Sequence, residues 1–145
     1  MILGGRFAAI GASEGTIWML DEEAFSLVPI WNSGPDAKKF VARYRQPLVD
    51  GLVSLVCVTG QPLCENKVYQ HASQDPRLDR KLGLLTCSMI AVPFDVAEET
   101  CGVVSCVKLK KAYSVDPDPS PFTAADLSEM VETVRNWQNL TEDWS

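Results

Sequence analysis

Residues 87 to 94, Cys-Ser-Met-Ile-Ala-Val-Pro-Phe, make a nearly unbroken apolar run of strand length, and Pro93 near its end forbids a continuing helix. Such a run is stable only with both faces covered, so it predicts a buried central strand with helices laid against it. The residues just before it have the opposite character. Asp75 to Leu82 reads as a short charged helix: Pro76 starts it, because its missing donor is one the first turn leaves unpaired, and Gly83 stops it. A polar segment hinged onto a dry strand is a common way to roof a small-molecule pocket.

The flanking chain supplies the other layers. A short helix is predicted over 2–12, then a hairpin of strands Thr16 to Asp21 and Phe25 to Trp31, with Pro29 marking an edge or a bulge. Ser33-Gly34-Pro35-Asp36 opens a helix whose Ala37, Phe40, Val41 and Tyr44 share one face. Asp50-Gly51 starts a helix from Leu52 to Val58, which Thr59-Gly60 ends. Leu63 to Val68 is a short strand. An acidic linker, Asp95 to Thr100, joins the apolar strand to Cys101 through Leu109, its antiparallel neighbour. After a proline-rich loop, Thr123 and Asp126 form a capping-box-like start to a helix with Leu127, Met130, Val131, Val134 and Trp137 on one stripe.

Charge and cysteine usage exclude several classes. A net charge of -6 over 145 residues disfavours nucleic acid and anionic membrane as partners, both of which need a basic face. No apolar stretch is long enough to span a membrane, and Arg6 interrupts the opening apolar residues, against a signal peptide. Five cysteines without regular spacing suggest reduced thiols and a cytoplasmic setting. They include no C-x-x-C pair and no histidine partner, so no metal site is expected.

Residues 75 to 93, together with Asp50-Gly51-Leu52-Val53 and Thr59-Gly60-Gln61-Pro62-Leu63, resemble the GAF domain, the small-molecule sensor module of phosphodiesterases, phytochromes and bacterial regulators. The likeness covers about residues 15 to 140 of a single domain spanning 1–145. It implies an α+β, PAS-related fold: a central antiparallel sheet of five or six strands, with terminal helices on one face and pocket-forming helices on the other. It also implies a longer leading helix than this chain has, so the short one points to a trimmed chain or an unusual start, and the helical homodimer contact of the family becomes an open expectation.

Carried onto this chain, the resemblance places a ligand between one sheet face and the helices at 51–58 and 76–82. Trp31 would stack on a flat ligand while the Asn32 amide reads its edge. Leu52, Val53 and Ser54 would offer backbone donors at a helix start, suited to an anion. Arg77 would present a fork to a carboxylate, and Thr86 matches a threonine of the cyclic-nucleotide binders. Asp79 and Arg80 read as a solvated helix face. A cyclic nucleotide is not favoured, because Lys108-Leu109 stands where such members carry Asn-Lys, and only Phe122 and Asp126 match the signature that follows.

The expected function is therefore a cytoplasmic regulatory domain that binds a small molecule under a lid at residues 70–86 and signals to an output domain or partner protein. The ligand or cofactor is not named by the residues. Bilin is poorly supported, since the single histidine, His71, does not follow a cysteine. Two alternatives stand beside this: a ligand-free dimerisation module, and a thiol-dependent free methionine sulfoxide reductase. The catalytic cysteine of those reductases lies where this chain has Leu82-Gly83-Leu84-Leu85, so no catalytic residue is assigned. Without an output domain in these residues, the chain is expected to be a fragment of a larger sensor or to act by association.

Overall fold

The computed structural model describes residues 2–97 and 100–142. Helix α1 (Ile2–Ala9) leads into a hairpin of β1 (Glu14–Asp21) and β2 (Ser26–Asn32), followed by a single helical turn, α2 (Ala37–Phe40), and a two-residue strand, β3 (Gln46–Pro47). Then come α3 (Leu52–Thr59), β4 (Leu63–Glu65), a 3-10 turn at Val68–Gln70, α4 (Arg77–Leu82), the long hairpin β5 (Leu84–Ala97) and β6 (Thr100–Lys111), and α5 (Ala124–Glu142).

The strands form one six-stranded sheet in the order β3-β2-β1-β6-β5-β4, with antiparallel pairing throughout. The apolar run does become a strand covered on both faces. Alternation sends Ile90, Val92 and Phe94 into the core beneath α1 and α5, and Met89 and Ala91 into a second core beneath α3. It is not the central strand, however. β1 and β6 hold the middle, and the three residues of β4 cover the outer edge of β5.

The terminal helices cover one face as expected. Thr123 Oγ1 accepts from Asp126 N (3.1 Å) while Asp126 Oδ2 accepts from Thr123 N (2.9 Å), the reciprocal cap that starts α5. Met130 and Val134 are buried, and Trp137 meets Phe94 edge-on at 5.1 Å. Pro29 lies at the register shift between Ile17 and Trp18, the bulge its missing N–H requires.

Two expectations are corrected. The helix predicted from Asp36 to Tyr44 stops after one turn, because Ala42 takes a positive φ of 63° and its N–H turns to the Pro29 carbonyl at 2.8 Å. The open edge of β2 thus captures the segment that the 3.6-residue periodicity assigns to a helix. Of the acidic linker expected at 95–100, Asp95, Val96 and Ala97 belong to β5 and Thr100 to β6, and Glu98 and Glu99 lie outside the described residues.

Candidate functional site: a polar hollow beneath α4

A sheet face packed against helices should be apolar, yet a polar stripe crosses this one. Asn32 on β2 pairs in register with Thr16 on β1, which pairs with Ser105 on β6, and all three are buried. Glu14, two residues before Thr16, lies on the same face and is 8% exposed. These side chains form the floor of a hollow of about 80 Å3. Leu78, Asp79 and Leu82 of α4 roof it, and Gly51, Leu52 and Val53 at the start of α3 make a wall. Trp18 and Met89 add apolar floor.

Buried polar groups are costly unless bonded, and the floor is bonded closely. Asn32 Nδ2 donates to Glu14 Oε2 (2.6 Å) and to Thr16 Oγ1 (2.8 Å), and its Oδ1 accepts from Gly34 N (2.7 Å). Trp18 Nε1 donates to Ser105 Oγ (3.0 Å). Gly34 is required here, since a Cβ would come within 2.5 Å of Glu14 Oε2. Burial pushes the Glu14 carboxyl above its usual range; the Asn32 hydrogen bond opposes this, and the charges of Asp36 and Asp79 add to it.

The roof hangs from two carboxylates. Asp79 accepts from Thr86 N (2.7 Å) and Thr86 Oγ1 (2.9 Å), and burial pushes its carboxyl up as well. Asp75 accepts from Arg77 Nε (3.0 Å to each oxygen) and from Gln46 Nε2 (2.8 Å), while Gln46 Oε1 accepts from Tyr44 OH (3.0 Å). The Arg77 guanidinium, the largest influence, and then Gln46 hold Asp75 from its ordinary 3.8 down to about 2 against the effect of burial. No residue of α4 itself is buried, and Gly83 ends it in the left-handed region at φ 69°. Leu78 packs against the core beneath α3, and the Asp75 and Asp79 carboxylates add directed ties to Gln46 and Thr86.

These shifts have opposite pH signs. Asp75, with a depressed folded pKa, adds stability that is complete above about pH 4 and lost as pH falls towards about 2. With its partner Arg77 half in water, that contribution is on the order of 1 kcal/mol. Glu14 and Asp79, with raised values, add stability below their ordinary 4.5 and 3.8 that is lost as pH rises through their folded values. Urea unfolding is therefore expected to give maximal stability on the acid side of neutrality. Asp75→Asn should flatten the acid limb, and Glu14→Gln the neutral one.

No family model and no curated protein matches the chain. Solved structures do. The GAF domain of a phosphoenolpyruvate-protein phosphotransferase from Coxiella burnetii superposes with a TM-score of 0.73 at 16% identity, covering 92% of this chain and 73% of that one. The GAF domain/HD domain protein from Geobacter sulfurreducens gives 0.69 at 18%, covering 97% and 87%. This chain has the GAF fold. Free methionine-R-sulfoxide reductase from Neisseria meningitidis, solved in complex with its substrate, is also similar, with a TM-score of 0.61 at 18% identity and coverage of 95% and 73%.

Within this GAF fold, the residues singled out from sequence part company. Asn32, Leu52, Val53 and Thr86 line the hollow. Trp31 does not: it packs against Phe7 at 6.2 Å on the opposite face, because neighbours on a strand point to opposite sides and Asn32 already faces the hollow. Ser54 is buried with its Oγ donating to the Pro47 carbonyl (2.8 Å), behind the wall. Arg77 is turned outward onto Asp75 and Asp50. The α3 start faces the protein's own Asp75, whose Cβ lies 3.4 Å from where a Gly51 Cβ would be, so a ligand anion there would meet a negative charge.

Asp79, expected on a solvated face, is instead the roof's tie to β5. Glu14, Thr16, Gln46 and Ser105 were not anticipated from sequence. The alternation Glu14, Thr16, Trp18 is the one local signal that puts these side chains on a common face of β1.

Proposed function

We propose that this GAF-fold domain is a regulatory sensor that holds a small molecule between the sheet and α4 and reports occupancy to an output domain or partner subunit. The observation that carries this is the convergence of buried polar side chains from β1, β2 and β6 on one hollow, with Asp79 of α4 above them, where packing alone calls for apolar residues.

The inner hollow of about 80 Å3 is smaller than the pockets of about 300 Å3 and upward that hold drug-sized ligands. A second hollow of about 360 Å3 lies against the other side of α4, and the two share Gln74, Asp79 and Leu84 as a common wall. On this reading α4 is a lid hinged at Gly83, and lifting it would merge the two. Release of Asp79 from Thr86 would then free a backbone N–H at the β5 register shift. From there β5 leads to α5, through the Phe94 and Trp137 contact and the Asp95 N–H donated to Gln138 Oε1 (3.1 Å).

A sensor is favoured over a thiol enzyme because no cysteine lines the hollow, and burial pushes all five thiols up, Cys106 to about 12. Hydrogen exchange of the chain during a screen of amines, amino acids, oxo-acids, nucleotides and haem tests the proposal. A binder should raise the melting temperature and change exchange most across residues 75 to 86. A screen in which nothing binds, with native mass spectrometry showing no co-purified molecule, would overturn it.

A further inference from the structure

We infer that the proline-rich loop at 112–122, which joins β6 to α5, is a strap that couples the roof helix α4 to the start of α5: lifting α4 loosens the α5 cap, and uncapping α5 loosens the roof. The coupling belongs to the chain with or without a ligand, and so stands or falls apart from the sensor reading. The strap bonds to both ends of the roof segment. At the hinge, Ala112 N donates to the Gly83 carbonyl (3.1 Å). At the other end, in the turn that precedes α4, Tyr69 OH donates to Asp118 Oδ2 (2.5 Å). Asn66 of the same turn exchanges two hydrogen bonds with the backbone of Phe122, accepting from its N–H (2.9 Å) and donating to its carbonyl (3.0 Å). Phe122 is buried and directly precedes Thr123, which caps α5. Tyr69, Ala112 and Tyr113 also border the larger hollow beside α4.

A loose loop would absorb movement at one end before it reached the other. This one is stiffened: Pro117, Pro119 and Pro121 fix φ at every second residue, and two lysines of β6 hold the stretch between them. Lys110 Nζ donates to Asp118 Oδ1 (2.7 Å) and to the Asp116 carbonyl (3.3 Å), so a single carboxylate joins β6 to Tyr69. Lys108 Nζ donates to the Ser120 carbonyl (2.7 Å) and lies 4.7 Å from the centre of the Phe122 ring. Lys108 is buried and, among the described residues, pairs with no carboxylate, so its charge is met by strap groups. Displacing Ser120 and Phe122 alone would strand that ammonium. Movement at Asp118 therefore passes along the strap to the backbone beside Thr123, and the reciprocal cap of Thr123 and Asp126 is the element it biases.

Native-state hydrogen exchange of the 145-residue chain, read by amide NMR, tests this by disturbing one end and watching the other. The roof reporters are Arg80 N, bonded to the Pro76 carbonyl, and Thr86 N, bonded to Asp79; the α5 reporters are Asp126 N and Leu127 N, both bonded to Thr123. Amides around Ile17 and Val104, paired in the middle of the sheet, report global unfolding. Tyr69→Phe and Asn66→Ala, made separately, should each speed exchange at Asp126 and Leu127 by about fivefold or more, with the central amides unchanged. Thr123→Ala lies outside the roof, yet it should speed exchange at Arg80 and Thr86 by a comparable factor, because coupling between two sites is reciprocal. Thr123→Ser, which keeps the capping hydroxyl, should restore the slow exchange. If Thr123→Ala speeds exchange in α5 alone, or if neither Tyr69→Phe nor Asn66→Ala reaches Asp126 and Leu127, the coupling is overturned. A rise spread evenly through the central amides also overturns it, since the variants would then lower only global stability.

Discussion

Gly102→Ala is expected to destabilise the chain severely. Gly102 lies on β6 opposite Met19 of β1, and a Cβ there would land on the Trp18 carbonyl oxygen and come within 2.9 Å of Phe94 Cζ. The first obstacle is backbone in the central pairing of the sheet, so no rotamer change relieves it. Separating β1 from β6 would break the floor of the hollow and both cores together. A loss of about 3 kcal/mol or more is expected, a large fraction of the stability of a small domain. Circular dichroism and urea unfolding measure it. Gly5→Ala is the control: nothing lies within 4 Å of that Cβ, the position is exposed in α1, and a gain of about 0.5–1 kcal/mol is expected. Equal stability of the two variants would show that the β1 and β6 approach is looser than described.

Asn32→Ala should cost about 3 kcal/mol at neutral pH, because it removes both the donor to Glu14 and the acceptor for Gly34 N at once. The effect has a pH signature that a simple packing loss lacks. With its one donor gone, Glu14 is pushed further up, so the variant should recover part of the loss on acidification to about pH 5. Glu14→Gln combined with Asn32→Ala should lose less than the sum of the single changes by about 1 kcal/mol or more, since the charge being stranded is absent. A loss that is equal at both pH values and additive in the pair would show that Asn32 acts as a space-filler and not as the partner of a buried charge.

Trp31 and Asn32 mark the limit of what the amino-acid order makes legible. Both are reasonable ligand contacts one at a time. Strand alternation allows only one of them into the hollow, and which one depends on the bulge at Ile17 and Trp18 that sets the register of β2 on β1. Asp79 is a second case. Four of the six α4 residues are charged, and nothing in the local pattern distinguishes the carboxylate that turns inward to Thr86 from the basic residues that stay in solvent.

Local rules did settle a good deal. Pro76 and Gly83 bound the roof helix, Gly60 ends α3 in the left-handed conformation, Thr123 and Asp126 cap α5, and the apolar run at 87–94 lies within a doubly covered strand. Each follows from interactions within a few residues of chain, where sequence spacing and spatial distance coincide. The polar stripe follows from none of them. Trp18 reaches Ser105 across 87 positions and Asn32 reaches Glu14 across 18, so the hollow exists only once the strands have paired in one register and their side chains have been dealt to one face or the other.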